Sequence, residues 1–209
     1  MLKASLVRRL FVAMLLMVPV LMSLSVLSQD FPTLHSRFDI DAEATVPAWY
    51  SSILLFNVAL CSVAIYHQRR VASPDAKWPY HWLLFAAAYL FFSVDEAARI
   101  HEALGNRLNT KWIFIYAPFA AAFYAYCAYY LVFVETDKRL CWWVLAGMSV
   151  FGLGALGMEA WTYFFYSAAT ELTEVIIEES LEMAGTTLVL IGCLKSLIRS
   201  VETATQSGR

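Results

Sequence analysis

Six stretches of this sequence, near residues 10–28, 48–66, 82–101, 112–134, 141–160 and 175–198, each run for about twenty residues with few charges. An α-helix rises about 1.5 Å per residue, so about 20 apolar residues cover the roughly 30 Å hydrocarbon layer of a bilayer. A chain of 209 residues that is 60% hydrophobic and 15% charged has no means of burying six such stretches around one water-soluble core. The sequence therefore predicts an all-α integral membrane protein, a single domain over residues 1–209 built as a bundle of six transmembrane helices. The number falls to five if residues 1–28 are cleaved, because Lys3, Arg8 and Arg9 precede an apolar run ending in the signal-like Val26-Leu27-Ser28. We expect the first helix to be retained.

Turn and charge signals separate the windows: Gln68, Arg69 and Arg70 through Ser73-Pro74-Asp75, then Gly105-Asn106-Arg107, then Glu135 through Arg139. Lys and Arg near the ends of spans stay in the cytoplasm. With six spans, Lys3, Arg8 and Arg9, then Arg69, Arg70 and Lys77, then Lys138 and Arg139, then Lys195 and Arg199 all fall on one side. Both termini are then cytoplasmic, in a bacterial inner membrane or its equivalent. The opposite side receives the segment with Asp39, Asp41 and Glu43, the Gly105 loop and an aromatic belt from Trp161 to Tyr166.

A net charge of -2 and the lack of a basic stripe with interleaved aromatics argue against a nucleic-acid partner. Membrane lipids, and a partner membrane subunit, are the partners to expect. Cys61, Cys127, Cys141 and Cys193 stand singly in apolar windows without metal-type spacing, and read as packing residues.

A charge inside a span costs about 2.5–3.5 kcal/mol on insertion scales, so intramembrane carboxylates are functional hypotheses by default. The third window ends with Asp95, Glu96, Arg99, His101 and Glu102, the fifth with Glu159, and the sixth opens with Glu171, Glu174, Glu178, Glu179 and Glu182. Asp95, Arg99 and Glu102 follow helical spacing, as do Glu171, Glu174, Glu178 and Glu182, with Glu96, Glu179 and His101 on the flanks. At 1.5 Å per residue, Asp95 and Glu102 are about 21 and 31 Å above His81, Glu182 and Glu174 about 20 and 31 Å above Lys195, and Glu159, about 30 Å above Arg139, belongs with the upper tier. Three helices thus present carboxylates toward the same outer-leaflet level, which points to one shared site.

Plainer roles compete with that reading. Glu102, Glu171 and Glu174 are explained equally well as solvated residues at helix ends, where negative charge at an N-terminus is favourable. Arg99 reads as a structural ion pair locking the bundle through Asp95 or Glu178. The run Gly147, Gly152, Gly154, Ala155, Gly157 reads as a close helix-packing face that also lets a neighbour approach Glu159. Phe123, Tyr124, Tyr126, Tyr129 and Tyr130 read as packing or lipid contact, Asn57 as an interhelical hydrogen bond, and His35, His67 and His81 as loop or interface residues without chemistry.

Adjacent carboxylates at low dielectric need protons or a cation. The sequence leads us to expect a carboxylate and histidine cation site near the extracytoplasmic face, holding a divalent metal such as iron, manganese or zinc. Asp95, His101, Glu102, Glu159, Glu178 and Glu182 are the expected ligands, and Glu96 or Glu179 the catalytic base of a metal-dependent enzyme acting on a lipid or membrane-soluble substrate. Two other classes remain: an accessory or assembly subunit of a larger membrane complex, and a proton or cation transporter. Against a soluble di-iron pattern stands the lack of any Glu-x-x-His. Against transport stands the scarcity of ionisable residues in the cytoplasmic halves of the spans.

Overall fold

The computed structural model describes residues 4–42, 44–72, 79–165, 167 and 169–207. Lys3 and Lys77 of the orientation argument, Glu43, the Ser73-Pro74-Asp75 turn and Tyr166 of the aromatic belt lie outside them. The described chain is helical throughout: α1 (Ala4–Ser28), α2 (Pro32–Phe38), α3 (Val46–Ala72), α4 (Tyr80–Ala98), α5 (Ile100–Leu108), α6 (Trp112–Phe133), α7 (Lys138–Gly152), a π-helical segment (Leu153–Met158), α8 (Glu159–Phe165) and α9 (Glu171–Ser207). No strand occurs among the described residues.

Five helical runs are long and apolar enough to cross a membrane: Ser5–Ser28, Val46–Ala72, Trp112–Phe133, Lys138–Phe165 and Glu171–Glu202. The third expected span falls outside this group. Its helix, α4, is only 19 residues long, starts on Tyr80 and His81 and carries Asp95 and Glu96 in its last turns, all of which dilute its apolar character.

That helix also ends earlier than its sequence pattern suggests. Arg99 adopts the left-handed conformation (φ 53°), its N–H donating to Asp95 O, and the chain restarts as α5 at Ile100. Gly105, Asn106 and Arg107, expected as a connector, lie inside this short helix, which ends on a second left-handed residue, Asn109 (φ 51°). A left-handed non-glycine residue costs roughly 1–2 kcal/mol, so two of them bracket a reorientation that surrounding contacts must hold.

Close approach of α7 and α9 organises the bundle. A Cβ on Gly147 would lie 2.6 Å from Gly185 O, and one on Gly185 would run into Phe151 N and, at 2.7 Å, into Gly147 O. Gly154 does the same against Glu178 O at 2.8 Å, so glycines let the α9 backbone reach the π segment. Gly152 and Gly157, grouped with that packing face by spacing alone, meet no neighbouring helix within 4 Å. Elsewhere α3 and α4 are tied by a reciprocal pair, Ser52 Oγ donating to Ser93 O (2.8 Å) and Ser93 Oγ to Ser52 O (2.9 Å). Tyr50 OH joins α3 to Met14 O of α1 (2.9 Å). Asn57 does not bridge helices as expected: it donates to Ile53 O one turn back in α3.

The ends of α3, α6 and α9 meet the starts of α4 and α7 at one pole of the bundle. Arg69 donates to Glu135 Oε1 (3.0 Å) and the Trp82 indole N–H to Glu135 Oε2 (3.1 Å). Arg199 pairs with Asp137, which caps α7 by accepting from Leu140 N. His81, expected at an interface, is instead 3% exposed and stacks on Tyr130 with ring centres 3.7 Å apart.

Candidate functional site

At the opposite pole a cavity of about 730 Å³ opens between α4, α5, α6, the π segment and α9. Eight carboxylates line it: Asp41 from the loop before α3, Asp95 and Glu96 from α4, Glu102 from α5, Glu159 from α8, and Glu178, Glu179 and Glu182 from α9. His101 lines it as well. The ligand and base positions expected from spacing therefore share one chamber, although they come from more elements than the three windows implied.

The α4–α5 break builds the first wall. Because the chain turns at Arg99, the residue that continues the helical spacing of Asp95 no longer lies on the same helix axis. His101 is instead swung back over Asp95: its backbone N–H donates to Oδ1 at 2.8 Å and its ring Nδ1 lies 3.0 Å from Oδ2. Tyr116 OH of α6 donates to the same Oδ1 at 3.3 Å. Asp95 is thus both the anchor of the turn and the orienter of the imidazole. Arg99 is not among the lining residues; it pairs with Glu102, three residues on, at 2.5 Å.

The second wall is α9 facing the π segment. A π segment widens the backbone locally and is frequent at functional sites. Here it turns Leu153, Ala155 and Leu156 toward the cavity and sets Glu159 at its rim, 3.9 Å from Lys111 Nζ. Glu178 and Glu182, one helical turn apart on α9, both face the chamber and make no hydrogen bond or ion pair among the described residues. Glu174, on the same spacing, is withdrawn from it: buried, it accepts from Thr170 (2.7 Å) and Thr162 (3.2 Å) and fastens α8 to α9. Glu171 is exposed.

Outside the spans, Asp41 has its carboxyl raised above the ordinary aspartate range, first by burial and then by the charges of Asp39, Glu171 and Glu102. Of these neighbours Glu102 also lines the chamber.

Deeper in the bundle the lining becomes apolar. Leu55, Tyr89, Phe92, Phe123, Met148 and Phe151 form this part, with Phe92 and Phe151 stacked at 5.9 Å. Tyr89 precedes Asp95 by six residues, so this region reaches roughly 9 Å further along α4. The chamber also reaches the side of the bundle: Tyr124 of α6 (38% exposed) and Leu153 of the π segment (61%) both line it, and Tyr124 OH and Ser149 Oγ join at 2.8 Å across the α6–α7 seam.

Sequence reasoning missed Asp41, Trp112, Tyr116 and Tyr124 as lining residues. The aromatic three sit in α6, whose apolar residues surround it on every side and mark no inward face, so no periodic signal singled them out. Among the described residues, no group of three or more His, Cys, Asp or Glu side chains is placed so as to hold a metal ion. Cys127, Cys141 and Cys193 are buried free thiols and Cys61 is half-buried, far from forming a ligand group.

No curated protein and no solved structure matches this chain. One sequence family does match, over residues 9–197, a range that holds every carboxylate of the chamber and most of all described helices. The chain belongs to that family, described as a domain of unknown function (DUF8692).

Proposed function

We propose that the chain crosses a membrane six times, through α1, α3, α4, α6, the α7–α8 run and α9, with both termini on the cytoplasmic side. The chamber then opens at the outer leaflet and serves as a cation-binding site through which the protein acts on a lipid or other membrane-soluble molecule. Supporting this orientation, Arg69 and Arg199 lie at the pole opposite the chamber, where basic residues of a cytoplasmic face belong. Counting α4 as a span restores the alternation that puts α3 and α4 back to back with both loops on that side.

The observation that carries the reading is the convergence of eight carboxylates on one cavity, with Glu178 and Glu182 lacking any partner among the described residues. Carboxylates taken out of water need a proton, a hydrogen-bonded counter-charge or a bound cation. Arg99 and Lys111 are already engaged with Glu102 and Glu159. A cation entering the chamber would meet Glu178 and Glu182 on one side and the Asp95-oriented His101 on the other. Glu96 and Glu179 flank these groups and would accept a proton in any turnover.

The divalent metal suggested by mixed carboxylate and imidazole donors would require these side chains to be drawn closer than they stand among the described residues. A partner subunit's basic residues would have to enter the chamber to reach its carboxylates, which disfavours a purely docking role. A transport path would have to pass the buried Trp82, Phe85 and Tyr130 at the cytoplasmic pole.

The test is equilibrium dialysis of the detergent-purified full chain against Mn²⁺, Zn²⁺ and ethylammonium, beside Asp95→Ala and Glu182→Ala variants that retain their helix content. We expect near-stoichiometric uptake of at least one of these cations by the wild type and its loss in both variants. Uptake of none, or uptake indifferent to both substitutions, would overturn the reading.

A further inference from the structure

We infer that the cation taken by the chamber is an alkylammonium: one positively charged amine on a long apolar chain, without a phosphate, entering sideways from the outer leaflet. This rests on the reading of the chamber as a cation site and adds the class of its ligand.

Three independent features select it. The first is size and shape. A volume of about 730 Å³ falls in the range that encloses a drug-sized organic molecule, far beyond what a single ion fills. The second is the division of the lining. Unpartnered Glu178 and Glu182 face Trp112 and Tyr116 at the acidic end, and carboxylates with aromatic faces together are the chemistry that recognises an ammonium group. Beneath them, Phe92, Phe123 and Phe151 offer a wall fit only for hydrocarbon. A metal ion or a polyamine would leave that wall bare, whereas an alkyl chain covers it. The third is the route. Tyr124 and Leu153 are lining residues that also lie on the lateral surface of the bundle, so an alkyl chain entering from the side meets the chamber there. The carboxylate excess excludes a zwitterionic phospholipid headgroup, whose phosphate would have to enter beside its amine.

The experiment uses the full chain in phosphatidylcholine nanodiscs with hexadecylamine carrying a photoreactive diazirine in its chain. Adducts are expected on residues 112–133 and 138–165. Unlabelled hexadecylamine should suppress them, while hexadecanol, with the same chain and no charge, and phosphatidylethanolamine should not. The double variant Glu178→Gln, Glu182→Gln should need roughly tenfold or more probe for equal labelling, from the loss of charge-assisted contacts. Equal suppression by hexadecanol would reduce the labelling to partition of the chain and overturn the inference, a result that needs no variant to fold. Suppression by phosphatidylethanolamine would overturn the phosphate-free ligand. Uptake of Mn²⁺ or Zn²⁺ in dialysis without any specific amine labelling would overturn the amine while leaving the cation site standing; failure of every cation would remove both.

Discussion

Substituting Gly185 by alanine tests whether the α7–α9 crossing is as close as the backbone places it. The added methyl meets Phe151 N, Gly147 O at 2.7 Å and Phe151 Cα at 2.8 Å, all backbone atoms that no rotamer change can move. Carbon contacts are favourable at about 3.5–4.0 Å, so the two helices must part by roughly 1 Å at this level. Overpacking of this kind costs typically about 1–3 kcal/mol, and a contact against backbone on both sides belongs at the upper end. Replacing a helical glycine by alanine returns about 1 kcal/mol of propensity, leaving a net loss of about 2 kcal/mol. Gly152 is the internal control: an alanine there meets nothing within 4 Å, so only the propensity gain of about 1 kcal/mol remains. The two variants should therefore differ by about 3 kcal/mol in opposite directions, which for a chain of this length corresponds to a separation of roughly 6–12 °C in Tm. Thermal unfolding of both in one detergent, followed by circular dichroism, measures it. A Gly185→Ala protein as stable as Gly152→Ala would refute the crossing. Because Gly152 also lines the chamber, its variant should gain stability while losing capacity for the alkylammonium probe.

Three other outcomes follow from named contacts. Arg69→Ala leaves Glu135, whose side chain is 3% exposed, without its cation, and should destabilise by about 3 kcal/mol. Adding Glu135→Gln should recover much of that loss in a double-mutant cycle. Burial pushes the Asp137 carboxyl up, but hydrogen bonds from Arg199, Ser196 and the Leu140 N–H outweigh it and hold the group below its ordinary range. Its contribution to stability is then full above the unfolded pKa of about 4 and is lost as pH falls through the lower folded value, so Arg199→Ala should flatten the acid limb of a stability–pH profile. Asp95→Ala removes the acceptor of the His101 N–H and Tyr116 OH, and hydrogen exchange of residues 100–108 should accelerate while α3 and α9 keep their protection.

Much of this architecture is legible in the sequence because long apolar runs mark its helices. The windows near 112–134 and 175–198 coincide with α6 and most of α9, and apolar runs of that length have few other structures open to them. A rise of 1.5 Å per residue also groups the carboxylates by position along their helices without knowledge of packing. What the sequence hides is direction around each helix axis. Asn57 looks like interhelical glue and turns back on its own helix, and His81 looks interfacial and is buried under Tyr130. Gly152 and Gly154 are two residues apart in one small-residue run, yet one faces the chamber and the other admits the backbone of α9. Apolar surroundings on all sides give no periodic contrast from which to tell an inward face from a lipid-facing one.

The break at Arg99 shows why the site itself was only half visible. Helical spacing places Asp95, Arg99 and Glu102 on one stripe, and a continuous helix would have directed all three to one side, with His101 turned away from Asp95 by roughly 120° or more on the helical wheel. No glycine or proline marks a stop there, and Arg99 enters the left-handed region at a cost that the sequence does not announce. Asp95 is what repays it, accepting from the His101 N–H and holding its ring through the two oxygens of one carboxylate. The side chain in the last turn of α4 therefore makes the His–Asp pair at the start of α5, on the wall of the chamber. Most of the carboxylates grouped by position along their helices line one chamber, but by a turn that breaks the spacing used to group them. In this chain the aspartate six residues ahead of the histidine bears on where α4 ends as much as on how the chamber wall is built.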